Sequence, residues 1–156
     1  MLFRSEFDAS PWMASSAELV RRMTEVTCRA GETQIAAVLD HAVAETRRRK
    51  VNAVVFVGDC VEESVDRLAK LAGDLGLLGV PVFVFHEGGE PVARKCFEEI
   101  ARLSGGAYCP FDAASADALR DLLAAVATFA VGGRRALEDF GRRRGGAALM
   151  LTHRLG

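Results

Sequence analysis

Apolar positions along this chain switch between helical spacing and near-continuous runs, and each switch marks an element. Over residues 33–50, Ile35, Val38, Leu39, Ala42 and Val43 fall on one stripe, and the segment ends in Arg47, Arg48, Arg49 and Lys50, as a helix C-terminus favours. Residues 51–57 are apolar except for Asn52 and rich in valine. That is the pattern of a strand covered on both faces, which predicts a central parallel strand. Glu62 and Glu63 suit the start of a second helix with the stripe Val65, Leu68, Ala69, Ala72 and Leu75, stopped by Gly76 and Gly79 before Pro81. Val82, Phe83, Val84 and Phe85 form the next strand, and Gly88-Gly89 a turn. Residues 92–104 return as a helix with Ala93, Cys96, Phe97, Ile100 and Ala101 inward, ended by Gly105-Gly106. Residues 107–111 read as a short strand that Pro110 places at an edge or an end. Ser115 then caps a helix carrying Leu119, Leu122, Leu123, Val126 and Ala130.

The ends of the chain are less regular. Ser15 and Glu18 make a capping box for a helix with Leu19, Val20, Met23 and Val26 inward. Leu2, Phe3 and Arg4 amount to a strand stub, and the stretch through Pro11-Trp12 is irregular. After Gly132-Gly133 a basic helical piece holds Ala136, Leu137 and Phe140, and residues 147–152 are an apolar run that is strand or buried helix by pattern alone. Strand and helix alternating with short turns predict an α/β fold: a Rossmann-like three-layer parallel sheet with helices on both faces. One domain is expected over residues 1–156, with residues 1–30 as a remnant of a strand plus a helix, 31–131 as the core and 132–156 as a C-terminal extension.

Charge narrows the partners. The net charge is −1, which gives no overall attraction to nucleic acid or to an anionic membrane surface. No apolar run approaches the roughly 20 residues of a membrane span. Cys28, Cys60, Cys96 and Cys109 form no CxxC pair and no zinc-ligand spacing with histidine, so they read as reduced thiols in a cytoplasmic protein.

Gly31-Glu32-Thr33 before a helix, Phe56-Val57-Gly58-Asp59 ending a strand, residues 80–85 (VPVFVF) and residues 100–108 (IARLSGGAY) together give an order and spacing. In these features the chain resembles a von Willebrand factor type A domain over about residues 1–131, most strongly over 31–111. The resemblance implies a divalent cation, Mg²⁺ or Mn²⁺, at the sheet rim, where Thr33 matches the family's threonine ligand and Asp59 its later aspartate ligand. It also implies a partner protein that completes the cation's shell with an acidic side chain. The family's first strand and its Asp-x-Ser-x-Ser loop have no counterpart: Asp8, Ala9 and Ser10 are followed by Pro11 and by Trp12 where the second serine belongs. The chain thus resembles a truncated or shortened version that begins in the family's second strand. In the family's sheet the first strand would lie beside residues 51–57, so its absence exposes an edge. Leu2 to Arg4, residues 147–152, or a second copy of the chain are the expected covers.

The favoured reading is a non-enzymatic interaction domain with a partial metal-ion-dependent adhesion site at Thr33 and Asp59. Glu32, Cys60, His86 and Glu87 share the partner-binding rim. One hydroxyl and one carboxylate hold Mg²⁺ weakly, because the ion demands near-octahedral oxygen coordination. The alternatives are a cysteine-dependent hydrolase and a degenerate structural domain. The hydrolase would use Cys60 as nucleophile and His86 as base, with Asp59 or Glu87 orienting it. Glu62 and Glu63 oppose a thiolate there by their charge. His41 lies at the margin of its helix stripe, and His153 near the tail. No glycine-rich phosphate loop opens any helix.

Overall fold

The structure, a computed structural model, describes residues 7–25, 33–112 and 116–155. Its elements in chain order are α1 (Ser16–Glu25), α2 (Ile35–Arg48), β1 (Val54–Gly58), α3 (Val65–Leu77), β2 (Val82–Glu87), α4 (Pro91–Ser104), β3 (Ala107–Phe111), α5 (Ala116–Arg144) and α6 (Gly146–Arg154). The three strands form a parallel sheet in the order β1-β2-β3. Val54 is in register with Val82, and Phe83 with Ala107. The predicted α/β layout of a parallel sheet with helices on both faces is therefore present.

Alternation along β2 builds the two layers, since successive side chains point to opposite faces. Val82 and Val84 join α2, α3 and α4 in one core, whose largest members include Phe97, Leu39, Leu68 and Ile100. Phe83 and Phe85 join α5 and α6 in the other, through Leu122, Val126, Leu137 and Leu151. Each such fully buried large side chain contributes about 1.5–3 kcal/mol relative to exposure.

Local chemistry fixes α4 well. Pro91 stands at its first turn, the Glu90 carboxylate accepts from the Val92 and Ala93 N–H groups at 3.0 and 2.6 Å, and Gly105 closes it at φ 75°. The Gly106 N–H then donates to the Ala101 carbonyl, the wrap that satisfies a helix C-terminus. Buried Ser104 ties this helix end to β2: its hydroxyl accepts from the Val82 N–H at 3.0 Å and donates to the Ala101 carbonyl at 3.1 Å.

Several expectations are corrected. Residues 51–57 do not form the central strand that their pattern predicts: among the described residues β1 lies at one edge of the sheet, and β2 is the central strand. The Val55 and Val57 side chains are 36% and 49% exposed, because the layer of α5 and α6 covers β2 and β3 and reaches the β1 side only at Ala53, just before the strand. Residues 147–152, open between strand and helix by pattern, are helix, and α6 packs beside β3, with the Arg154 guanidinium donating to the Tyr108 carbonyl at 3.0 Å. That places it on the far side from β1, so it does not cover the open edge. The α1 stripe does not point inward: Leu19, Val20 and Met23 are all exposed. Val65 and Leu123, expected in the core, are likewise exposed. The expected helix after Gly132-Gly133 is present as the second half of α5, set off by a break at Gly133 (φ 70°, ψ −167°). Leu2 to Arg4, Val26, Cys28 and Ser115 lie outside the described residues.

The helices α3 and α4 approach most closely at Gly76, where an added Cβ would meet the Leu103 carbonyl oxygen at 2.2 Å. A backbone carbonyl in a buried helix cannot swing aside, so Gly76→Ala forces the two helices apart. The expected cost is about 1–3 kcal/mol, despite the ~1 kcal/mol that alanine gains over glycine within a helix. In the same helix an added Cβ at Gly73 meets nothing within 4 Å, so Gly73→Ala is expected to stabilise by about 0.5–1 kcal/mol. Urea unfolding of the two variants beside the native chain reads both signs; equal effects would show that the α3–α4 approach is not the constraint described.

Candidate functional site

The carboxyl ends of β1 and β2 form the rim to which the sequence assigns Thr33, Asp59, Cys60, His86 and Glu87. In open parallel sheets this is the usual place for a ligand crevice. Glu32 lies outside the described residues.

Thr33 is neither the first helical residue nor the N-cap of α2, which Gln34 occupies without a side-chain cap bond. It instead makes a reciprocal pair with the loop after β1: the Thr33 N–H donates to Glu62 Oε2 at 2.9 Å, and the Glu62 N–H donates to Thr33 Oγ1 at 3.2 Å. Next to it, the Glu63 carboxylate accepts from the Ala36 N–H, at 2.8 Å to Oε2 and 3.3 Å to Oε1. Glu62 and Glu63 therefore do not start the second helix, as their acidity suggested. They precede α3 and satisfy the free N–H groups at the start of α2, where a negative charge is also favoured by the helix dipole. Pattern reading missed this because the partners are 27 and 29 residues apart.

His86 ends β2 fully buried. Its Nε2 lies 3.2 Å from the Asp59 carbonyl oxygen and its Nδ1 2.8 Å from the Tyr108 hydroxyl. A carbonyl only accepts, so Nε2 carries the hydrogen; in the neutral ring Nδ1 then accepts from Tyr108. The ring also stands edge-on to Phe97, with centroids 4.9 Å apart. Both ring nitrogens are thus engaged, and His86 braces the β1 end against β2 and β3. Tyr108 was absent from the expected site, although its place one strand over is visible in the register Val84 to Tyr108. Burial raises the Tyr108 hydroxyl above its ordinary pKa.

Cys60 is half-buried, and its thiol is raised above the ordinary value. The first cause is its hydrogen bond to the Asp59 side chain; desolvation and the charges of Asp59, Glu62 and Glu90 add to it. The thiolate is the nucleophilic form, so this setting works against cysteine chemistry. Cys96 is also raised by burial, and burial pushes Cys109 up to about 11.

Asp59 and Glu87 are exposed, and Thr33 is half-buried. No hydrogen bond joins Thr33 to Asp59 among the described residues, and none of their His, Cys, Asp and Glu side chains gather in a group of three or more able to hold a metal ion. The carboxylates nearest Thr33 already accept backbone N–H groups. The donor set is therefore short of the oxygen shell that Mg²⁺ or Mn²⁺ requires, and the residues present do not fit the full cation site that the resemblance implies.

Neither of two concavities joins Thr33 to Asp59, and only one of them lies at the rim. One, of about 460 Å³, lies past the ends of β2 and β3 against Gly88, Gly89, Pro110 and Asp112. The other, of about 480 Å³, lies at the opposite end of β1, between α2 and the segment that leads into α1, with Trp12, Leu19, Val38, Ala42 and Val54 among its walls. There the Trp12 indole N–H donates to Glu45 at 2.6 Å, and the Arg49 guanidinium sits 5.2 Å above the indole ring. Fold and rim together define an α/β domain with a three-stranded parallel sheet and an acidic rim. No protein-family model, curated protein or solved structure matches the chain. No helix of the described residues is long and apolar enough to cross a membrane.

Two outcomes follow from this geometry. Glu63→Ala removes the carboxylate at the start of α2 and is expected to lower stability by about 0.5–2 kcal/mol, measured as a shift in the denaturation midpoint with unchanged slope; an unchanged midpoint would deny the cap. Asp59→Asn removes the charge beside Cys60 and brings its pKa down. The rate of Cys60 alkylation at neutral pH should then rise, with its pH profile shifted to lower pH, as peptide mapping by mass spectrometry would follow. A slower reaction in that variant would contradict the assigned cause.

Proposed function

We propose that the chain is a non-enzymatic protein-interaction domain, similar to von Willebrand factor type A domains, that meets its partner through the rim of Asp59, Cys60 and Glu87. The observation that carries this reading is the Thr33–Glu62 pair, which holds the two segments named by the resemblance against each other at one rim. A surface held in this way, with exposed carboxylates above a braced histidine, suits recognition of another protein. Asp59, Glu62 and Glu87 make the rim negative. A partner meets it directly through basic side chains; an acidic partner side chain requires a bridging Mg²⁺ or Mn²⁺, for which the ligands are incomplete. The hydrolase reading, with Cys60 and His86, draws no support from a raised thiol and a doubly bonded ring.

Calorimetric titration of Mg²⁺ and Mn²⁺ into the native chain, beside Asp59→Ala, separates the two modes of recognition. The expected result is no saturable heat at sub-millimolar cation in either protein. Saturable binding lost in Asp59→Ala would restore the cation-bridged mode and its acidic partner. For the interaction itself, Asp59→Lys is expected to reduce partner capture about tenfold, which corresponds to ~1.4 kcal/mol, while Cys60→Ala leaves it unchanged. Retained capture in Asp59→Lys would remove the rim from the interaction.

A further inference from the structure

Among the described residues, β1 pairs with β2 on one edge and leaves its other edge open. The Val54 N–H donates to the Pro81 carbonyl at 3.0 Å, which turns Val54 toward β2. By the alternation of a strand, the N–H and C=O groups of Val55 and Val57 then face away from β2, where no strand pairs with them among the described residues. Natural edges are commonly blunted by lysine, proline or a bulge. Residues 53–58 carry no charge and no proline. Beside the edge, the Val55 and Val57 side chains lie on the half of the sheet that α5 and α6 leave uncovered.

We propose that this edge pairs with the β1 edge of a second copy of the chain, antiparallel about a two-fold axis at Phe56. In that register Val55 of one copy exchanges both backbone hydrogen bonds with Val57 of the other, and the reverse. The two sheets become one, and the four valine side chains form a continuous apolar strip on the open face. Charge complementarity selects a second copy as the occupant. Arg47, Arg48, Arg49 and Lys50 precede β1, and Asp59, Glu62 and Glu63 follow it. Antiparallel pairing brings the basic residues before β1 of each copy to the end of the other copy's β1, where Asp59 and Glu62 stand exposed. A parallel arrangement would set like charges together at both ends. This inference does not rest on the rim reading, since the pairing itself uses the strand's flank, although Asp59 and Glu62 serve in both.

Sedimentation equilibrium of the native chain at sub-millimolar concentration tests it, beside Val57→Pro and Val55→Lys. Proline removes the outward N–H of residue 57 and leaves the bonds between β1 and β2 in place. The native chain is expected to sediment as two copies, more weakly at high salt, and both variants as one copy with unchanged far-ultraviolet circular dichroism. If Val57→Pro does not fold, Val55→Lys, an exposed position, carries the test alone. A one-copy mass for the native chain overturns the proposal. If its Val55 and Val57 amides are nevertheless protected from hydrogen exchange, the cover is a strand of the same chain. A two-copy mass persisting in Val55→Lys overturns it as well, by moving the contact elsewhere.

Discussion

The central strand β2 has no solvent-facing side: Val82, Phe83, Val84, Phe85 and His86 are all fully buried. Five consecutive buried residues require cover on both faces and a paired strand on both edges, and the rest of the architecture answers those requirements. The Val82 and Val84 face is covered by α2, α3 and α4; the Phe83 and Phe85 face by α5 and α6. The edges are taken by β1 and β3. The cover is uneven, because the second helical layer lies over β2 and β3 and meets the β1 side only at Ala53. The outer face of β1 is left open as a consequence.

His86 is where this burial meets polar chemistry. An imidazole at the end of such a strand must satisfy both ring nitrogens or incur the cost of an unpaired buried group. Tyr108 on β3 and the Asp59 carbonyl after β1 supply the partners, so one side chain links all three strand ends. The bond to Asp59 engages only its backbone; the carboxylate stays at the surface, close to the Cys60 thiol. The same residue thereby anchors the rim from below and charges it from above.

What the sequence made legible follows from where each signal resides. Periodicity and helix punctuation are local, and they located α2, α3, α4, β2 and β3 because Ala93, Phe97 and Ile100, or Val82 to Phe85, carry their pattern within a single element. The apolar run of residues 51–57 did not show the edge position of β1, since such a run says what a strand prefers to have as cover and not what it receives; only the absent first strand of the resembled family pointed to an open edge there. The α1 stripe failed for the same reason: Leu19, Val20 and Met23 have helical spacing but stay exposed, and Leu19 only borders the open concavity beside α2. In residues 147–152 the pattern was ambiguous between strand and helix, and contact with α5 decided for helix. Within the site, the positions of Thr33, Asp59 and His86 at the rim were readable, while their partners Glu62, Glu63 and Tyr108 were not. Those bonds join residues more than 20 positions apart.

The clasp between Thr33, Glu62, Glu63 and Ala36 also bears on the cation site that the resemblance implies at this rim. A carboxylate at a helix start is held by backbone N–H groups and by the positive end of the helix dipole. To turn toward a cation it must give up those bonds, leaving donors of a half-buried helix terminus unsatisfied, at about 1–3 kcal/mol for each such group. Mg²⁺ offers little in return when only Thr33 and Asp59 supply further protein oxygens, because it keeps its waters and dehydrates reluctantly. The local free energy therefore favours the carboxylates as structural caps, which fasten α2 to the loop after β1. The acidity and hydroxyl content of this rim are then used mainly in holding its shape, and Asp59 and Glu87 remain its exposed carboxylates without a backbone N–H to hold.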